Sequence, residues 1–214
     1  MKVWTYLAGV ALLAGASSQA DATISLFLQT SGVNNGNVTY VGASNSNLFT
    51  YNGNYGAFSI GVSAGGSATG ADFFTQTLDT SADLAGSLTI YLVKSGLTAQ
   101  PASLLSTFTA NGYNLVSVAE STFMNDIELA NAMFDTTNLG STYSVSAPSA
   151  GTDDSYEVAK YTVTTADGGG TANSTINITA GAVPEAATWA MMLVGFGLMG
   201  FMLRQRRPAN VTFA

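Results

Sequence analysis

Apolar side chains in this chain recur at every second position, in short runs broken by Asn and Gly, and a period of two is the period of pleated sheet. Ile24, Leu26 and Leu28 alternate with Ser25, Phe27 and Gln29, and Phe58, Ile60 and Val62 with Ala57, Ser59 and Gly61. The same pattern returns at Leu88, Ile90 and Leu92, and again at Ile176 and Ile178. Further strands are expected over residues 38–41, 48–51, 73–78, 104–108, 115–118, 142–145 and 157–164. Asn34-Asn35-Gly36-Asn37, Asn52-Gly53-Asn54, Gly65-Gly66 and Gly168-Gly169-Gly170 supply turns, because these residues tolerate positive φ. About ten or eleven short strands with one apolar face each describe an all-β, antiparallel β-sandwich of jelly-roll-like kind. No amphipathic helix separates the strands, which excludes parallel βαβ units. Ser121–Phe134 fits two templates: Phe123, Ile127, Ala130 and Phe134 fall at helical spacing, whereas Ile127, Leu129, Asn131 and Met133 alternate. No fixed-period repeat is present, residues 166–173 read as a flexible loop, and residues 181–183 as a hinge.

Composition narrows the chemistry. Among 214 residues there is no histidine and no cysteine, and 9% are charged. Ser-His-Asp triads, Cys-His dyads, the common zinc sites, disulfides and iron–sulfur ligation are thereby excluded. The net charge of −7 disfavours a phosphate-backbone partner, so no nucleic acid is expected. Between residues 23 and 183 the bases are Lys94 and Lys160 against eleven acids, a net charge of −9.

The two ends differ from the middle. Met1 and Lys2 precede an apolar stretch from Val3 to Ala16, and the small residues Ala20 and Ala22 then offer cleavage sites; residues 1–22 are expected to be a signal peptide. Near the other end Ala186 to Leu203 carries no charge and as a helix would extend about 27 Å, enough for the hydrocarbon core of a bilayer. Trp189 lies at its outer end and Arg204, Arg206 and Arg207 follow it, which predicts a transmembrane helix over 186–203 with a short cytoplasmic tail, 208–214. Its glycines lack the small-xxx-small spacing of a dimerisation face. The ectodomain accordingly spans residues 23–182.

Candidate constellations are few. Asp126 and Glu128 are expected on one strand face, and Asp153, Asp154 and Glu157 cluster ahead of a strand. A glycosidase needs two carboxyl groups about 5–10 Å apart across a cleft; the sequence offers no aromatic subsites beside these acids, since Trp4 and Trp189 both lie in the apolar ends, and all five acids read as solubilising surface charge. Asp153 and Asp154 with backbone carbonyls form a conceivable calcium site, without the D-x-D-x-D-G loop pattern. Thr162 and Thr164 share a strand face, an arrangement that suits ice or glycans but is common in exposed strands. The glycines 168–170 lack the Gly-Lys-Ser/Thr ending of a phosphate loop. No catalytic residue, metal or cofactor is expected.

The run from Val183 through Pro184, Glu185, Ala186, Ala187, Thr188, Trp189 and Ala190 into the apolar segment and its arginines resembles the PEP-CTERM sorting signal in its PEPxxWA form. Pro184, Glu185, Trp189 and Ala190 match, with Arg204, Arg206 and Arg207 closing the signal over residues 183–207; Ala186 stands where the family usually has proline. The resemblance implies a protein exported through the inner membrane of a Gram-negative bacterium by the Sec machinery. It further implies transient anchoring and cleavage by an exosortase, a membrane transpeptidase, in a cell that makes exopolysaccharide. The expected role is a non-enzymatic surface or biofilm-matrix protein associated with exopolysaccharide, finishing at the cell surface or outside it. The alternatives are a carbohydrate-binding module, calcium-dependent or not, an ice-binding module, and more remotely a carboxylate-based glycosidase.

Overall fold

A computed structural model of the chain describes residues 22–67, 70, 72–97, 101–149, 155–181 and 186–205. Twelve antiparallel strands are present among them: β1 Thr23–Thr30, β2 Thr39–Ser44, β3 Leu48–Tyr55, β4 Phe58–Gly66, β5 Phe73–Ala82, β6 Gly86–Leu97, β7 Ser103–Tyr113, β8 Leu115–Met124, β9 Ile127–Phe134, β10 Thr142–Pro148, β11 Ser155–Thr165 and β12 Gly170–Ala180. They form two six-stranded sheets, sheet A in the order β2-β1-β6-β11-β8-β9 and sheet B in the order β10-β7-β12-β5-β4-β3. From β5 onward the chain crosses between sheets in the jelly-roll sequence: β5-β12-β7-β10 forms one four-stranded half and β6-β11-β8-β9 the other. The first four strands widen this unit, β1 and β2 beside β6, β3 and β4 beside β5.

The alternation seen in the sequence is the alternation of burial. Ile24, Leu26, Leu28, Leu88, Ile90, Leu92, Ala159, Tyr161 and Val163 of sheet A meet Phe58, Ile60, Val62, Leu78, Phe108, Ile176 and Ile178 of sheet B in one core. A smaller cluster of Phe27, Tyr91, Val93, Phe123 and Val158 lies on the other side of sheet A, since these residues occupy the opposite phase of the same strands.

The interior also holds polar groups. Tyr161 Oη and Thr75 Oγ1 lie 2.5 Å apart, and both accept from the amide of Ile176, at 3.0 and 2.8 Å. Ser106 and Thr122 hydroxyls pair at 2.7 Å. Lys94 has no exposed surface and donates to the carbonyls of Gly70 at 2.5 Å and Asp72 at 2.7 Å. Its cross-strand partner is Glu157, also fully buried.

Three expectations change. Ser121–Phe134 is not a helix but the β8–β9 hairpin, with Met124 opposite Ile127 and Asn125 at φ 54 in the turn between them. Asp126 sits in that turn, so it and Glu128 do not share a strand face. Residues 170–173 are not loop: β12 begins at Gly170, where Gly170 and Ala172 are buried.

The tight connection ahead of β12 needs Gly169. Its φ is 76, a Cβ there would overlap the carbonyl of Ala82, and the Asn114 side-chain amide donates to the carbonyls of Asp167, at 3.0 Å, and of Gly169. Gly169→Ala is expected to lower stability by about 1–3 kcal/mol. The check is the urea midpoint at constant slope; an unmoved midpoint would show that the turn relaxes freely.

The second unit contains one helix, α1, Ala186–Gln205. Met191, Met192, Leu193, Val194, Phe196, Leu198, Met199, Phe201 and Met202 are all exposed, so α1 is apolar on every face. Among the described residues no helix is long and apolar enough to cross a membrane. The structure identifies a helix over the segment expected to span the membrane.

Candidate functional site

Sheet B presents a face of amides and hydroxyls, because the outward phase of its strands carries Asn, Ser and Thr where the inward phase carries Ile, Leu and Phe. Cross-strand pairing brings residues far apart in sequence into one row: Asn52 opposite Gly61, Gly61 opposite Asp79, Asp79 opposite Asn173, and Asn173 opposite Asn111. A neighbouring row runs Asn54, Ser59, Ser81, Thr171 and Tyr113.

The first row, with Ser59, Ser81 and Thr171 of the second, lines a cleft of about 570 Å³, within the range of small-ligand sites. Its floor drops at Gly61, where a Cβ would approach Asn52 Oδ1 to 3.1 Å and Asp79 Cβ to 3.7 Å. Asn173 Nδ2 donates to Asp79 Oδ1 at 2.6 Å, which fixes both side chains and leaves the other Asp79 oxygen open. Among the described residues Asp79 is the one charged side chain lining the cleft, and no base lines it. Tyr113 stands beside the cleft with 78% of its surface exposed, two residues from Asn111 on the same face and opposite Thr171.

The acids singled out from the sequence are elsewhere and apart. Asp126 accepts from Tyr156 Oη at 2.8 Å, and that bond, with burial as the larger cause, drives the Tyr156 phenol far above its ordinary range. Glu128 accepts from Asn131 Nδ2 at 2.6 Å on an exposed strand. Glu157 is no surface acid: it is buried opposite Lys94, and desolvation pushes its carboxyl up despite that ammonium. Asp153 and Asp154, with the calcium site proposed on them, lie outside the described residues, and among those described no cluster of three metal-ligating side chains occurs. Thr162 and Thr164 do share a face, on sheet A, but pair with Thr89 at 3.2 Å and Ser87 at 3.3 Å.

In the terminal segments Ala22 is buried at the start of the sandwich, whereas Ala20 and the rest of residues 1–21 lie outside the described residues. So do Pro184, Glu185, Arg206 and Arg207; Trp189 and Ala190 fall within α1, and Arg204 is exposed in its last turn.

Sequence reasoning missed two sets of residues. The cleft residues Asn52, Asp79, Asn111 and Asn173 looked like ordinary strand surface, and only register unites them. The other set is the buried Glu120. Burial pushes its carboxyl up to about 9, opposed more weakly by Ser174. Neither Glu120 oxygen has a hydrogen-bond partner among the described residues.

Comparison with known proteins locates a match to the PEP-CTERM protein-sorting motif at residues 182–207. No curated protein matches the chain. Among solved structures the chain is similar to TmCBM61 in complex with β-1,4-galactotriose, at 10% identity over 49% of this chain and 70% of that one, with a TM-score of 0.36. It is similar to the PA14 sugar-binding domain from an RTX adhesin at 10% identity over 76% and 93%, TM-score 0.37. A third is the epithelial adhesin 6 A domain from Candida glabrata in complex with Galβ1-3GlcNAc, at 6% identity over 80% and 85%, TM-score 0.34. Likeness at this level assigns no ligand to this chain.

Proposed function

We propose, for a chain that carries a PEP-CTERM sorting motif and is therefore exported, that it is a surface or matrix protein processed at that motif by an exosortase. The observation that carries the reading is α1, apolar on every face and with Arg204 in its last turn. A helix of that kind is stable where protein or lipid covers it, and its 20 residues extend about 30 Å. The Sec machinery delivers the sandwich across the inner membrane after residues 1–22 are removed, and α1 holds the chain there until cleavage beside Pro184 and Glu185 releases it. Residues 208–214 stay on the cytoplasmic side.

The mature protein from its native host is expected to have an intact mass lacking α1, and a Pro184→Ala, Glu185→Ala double variant is expected to keep it. A surface form retaining residues through Ala214 would overturn the reading.

The sandwich itself is non-enzymatic in this proposal. Asp79 is a single carboxylate in the cleft, Glu120 and Glu157 are sealed inside, and Asp126 is tied up by Tyr156. Among the described residues no two carboxylates line one cleft, as a two-carboxylate glycosidase requires. An ice-binding face needs a flat, regular hydroxyl array, and the rows of sheet B break at register shifts between Ser63 and Ala64 and between Ser174 and Asn177.

A second reading, glycan binding by the exported sandwich, is favoured by the polar cleft and its flanking Tyr113. It gives the matrix role a physical basis, since a protein that grips polysaccharide stays with it.

A further inference from the structure

We propose that the cleft on the outer face of sheet B binds a neutral glycan, with Tyr113 as the platform for one sugar ring and the Asp79–Asn173 pair as the anchor for adjacent hydroxyls of the next. The proposal rests on the glycan-binding reading above and gives it a site and a ligand class.

Sugar hydroxyls both donate and accept, so a matching site needs both functions at fixed positions. Asp79 offers an acceptor oxygen outside its bond to Asn173, and that bond, at 2.6 Å, removes rotamer freedom from both side chains before any ligand arrives. Asn52 and Asn111 lie at either end of the same row, each with an amide able to donate and accept. Gly61 opens the space between them: any side chain there would fill the floor. Tyr113, with 78% of its surface exposed, is a rigid aromatic with little rotamer entropy to lose, and its face suits the C–H side of a pyranose ring.

Charge selects the ligand class. Among the described residues the cleft is lined by one carboxylate and no base, on a section of chain carrying a net −9. Uronate or sulfate groups would meet repulsion without a compensating cation. Of the lining strands, β4, β5, β12 and β7 are each paired on both sides, and the edge strand β3 contributes Asn52 and Gly53. A few hydrogen bonds and one stacked ring lead to affinities in the millimolar to micromolar range.

The test uses the full chain in an amine-oxide detergent, which carries no sugar headgroup, titrated calorimetrically with tetrasaccharides of neutral glucan, mannan and galactan and with tetragalacturonate. At least one neutral tetrasaccharide is expected to bind and tetragalacturonate not to. Tyr113→Ala and Asp79→Ala are expected to weaken binding about tenfold or more, with unchanged circular dichroism. Thr162→Ala on sheet A is expected to leave it unchanged. Neutral-glycan binding untouched by the cleft variants would overturn this site while leaving the glycan-binding reading standing. Preference for tetragalacturonate, lost in the cleft variants, would overturn the ligand class. No binding of any tetrasaccharide would overturn both.

Discussion

Raising the pH from 5 to 9 is expected to lower the thermal midpoint of the sandwich, against the common pattern in which acid destabilises. The cause is Glu120, which has no exposed surface and whose carboxyl is pushed up to about 9 by burial. Unfolded, it titrates near 4.5. Between those values the folded state holds a proton that the unfolded state has released, so stability falls as pH rises. The contribution is fully present below about 4.5 and is lost progressively up to about 9. At 1.36 kcal/mol per pKa unit the loss is on the order of several kcal/mol, or on the order of 10 °C for a domain of this size. Glu157, raised by burial, acts in the same direction. Glu120→Gln is expected to flatten most of the slope, and Glu128→Gln, on an exposed strand, to leave it intact. A midpoint that climbs from pH 5 to 9 would contradict the account.

Lys94→Met is expected to be the most damaging single change in the sandwich, at about 3–5 kcal/mol by denaturant unfolding at neutral pH. It strands two carbonyls, Gly70 and Asp72, that lose their donor, and leaves Glu157 buried without its ammonium. Desolvation lowers the Lys94 amine while Glu157 and Asp72 hold it up, so the pair is a balance of burial against attraction. Removing the cation raises the Glu157 carboxyl above its value of about 8, and the penalty therefore grows as pH rises beyond about 8, where the parent protein releases that proton and the variant still holds it. Adding Glu157→Leu to Lys94→Met is expected to restore much of the loss, because an apolar pair needs no compensation. A loss in the double variant equal to the sum of the Lys94→Met and Glu157→Leu losses would show that the pair does not interact.

The strands were legible because burial on one face writes a period of two into the chain, and every described strand except β9 begins or ends within two residues of an expected run such as Ile24–Leu28 or Leu88–Leu92. The β8–β9 hairpin was ambiguous because Phe123, Ile127, Ala130 and Phe134 also satisfy a helix; the pairing of β8 with β11, residues far along the chain, decides it. Gly170–Asn173 looked like loop because glycine and asparagine weaken a strand locally, yet β12 is held there by neighbours on both sides. Phase did contain one unread signal. Lys94 continues the inward series Leu88, Ile90, Leu92, and Glu157 opens the inward series Ala159, Tyr161, Val163, so both announce burial. The cleft had no such signal. Asn52, Gly61, Asp79, Asn111 and Asn173 meet only through cross-strand register, which composition and periodicity leave open.

The place of β12 in the topology has a mechanical consequence. It ends at Ala180, immediately ahead of the sorting motif, and lies between β5 and β7 in the middle of sheet B. Whatever holds the protein by its C-terminal end, whether lipid-embedded helix or the acceptor of a transpeptidase, therefore pulls on a central strand. Drawn along its own axis, β12 loads both ladders together, from Thr171 opposite Tyr113 on one side and Ser81 on the other to Ile178 opposite Ser106 and Phe73. The backbone bonds then share tension in parallel, where an edge strand such as β3 or β10 would peel from one neighbour a pair at a time. A tether placed there is gripped by the part of the sheet that yields last under flow or shear at a cell surface.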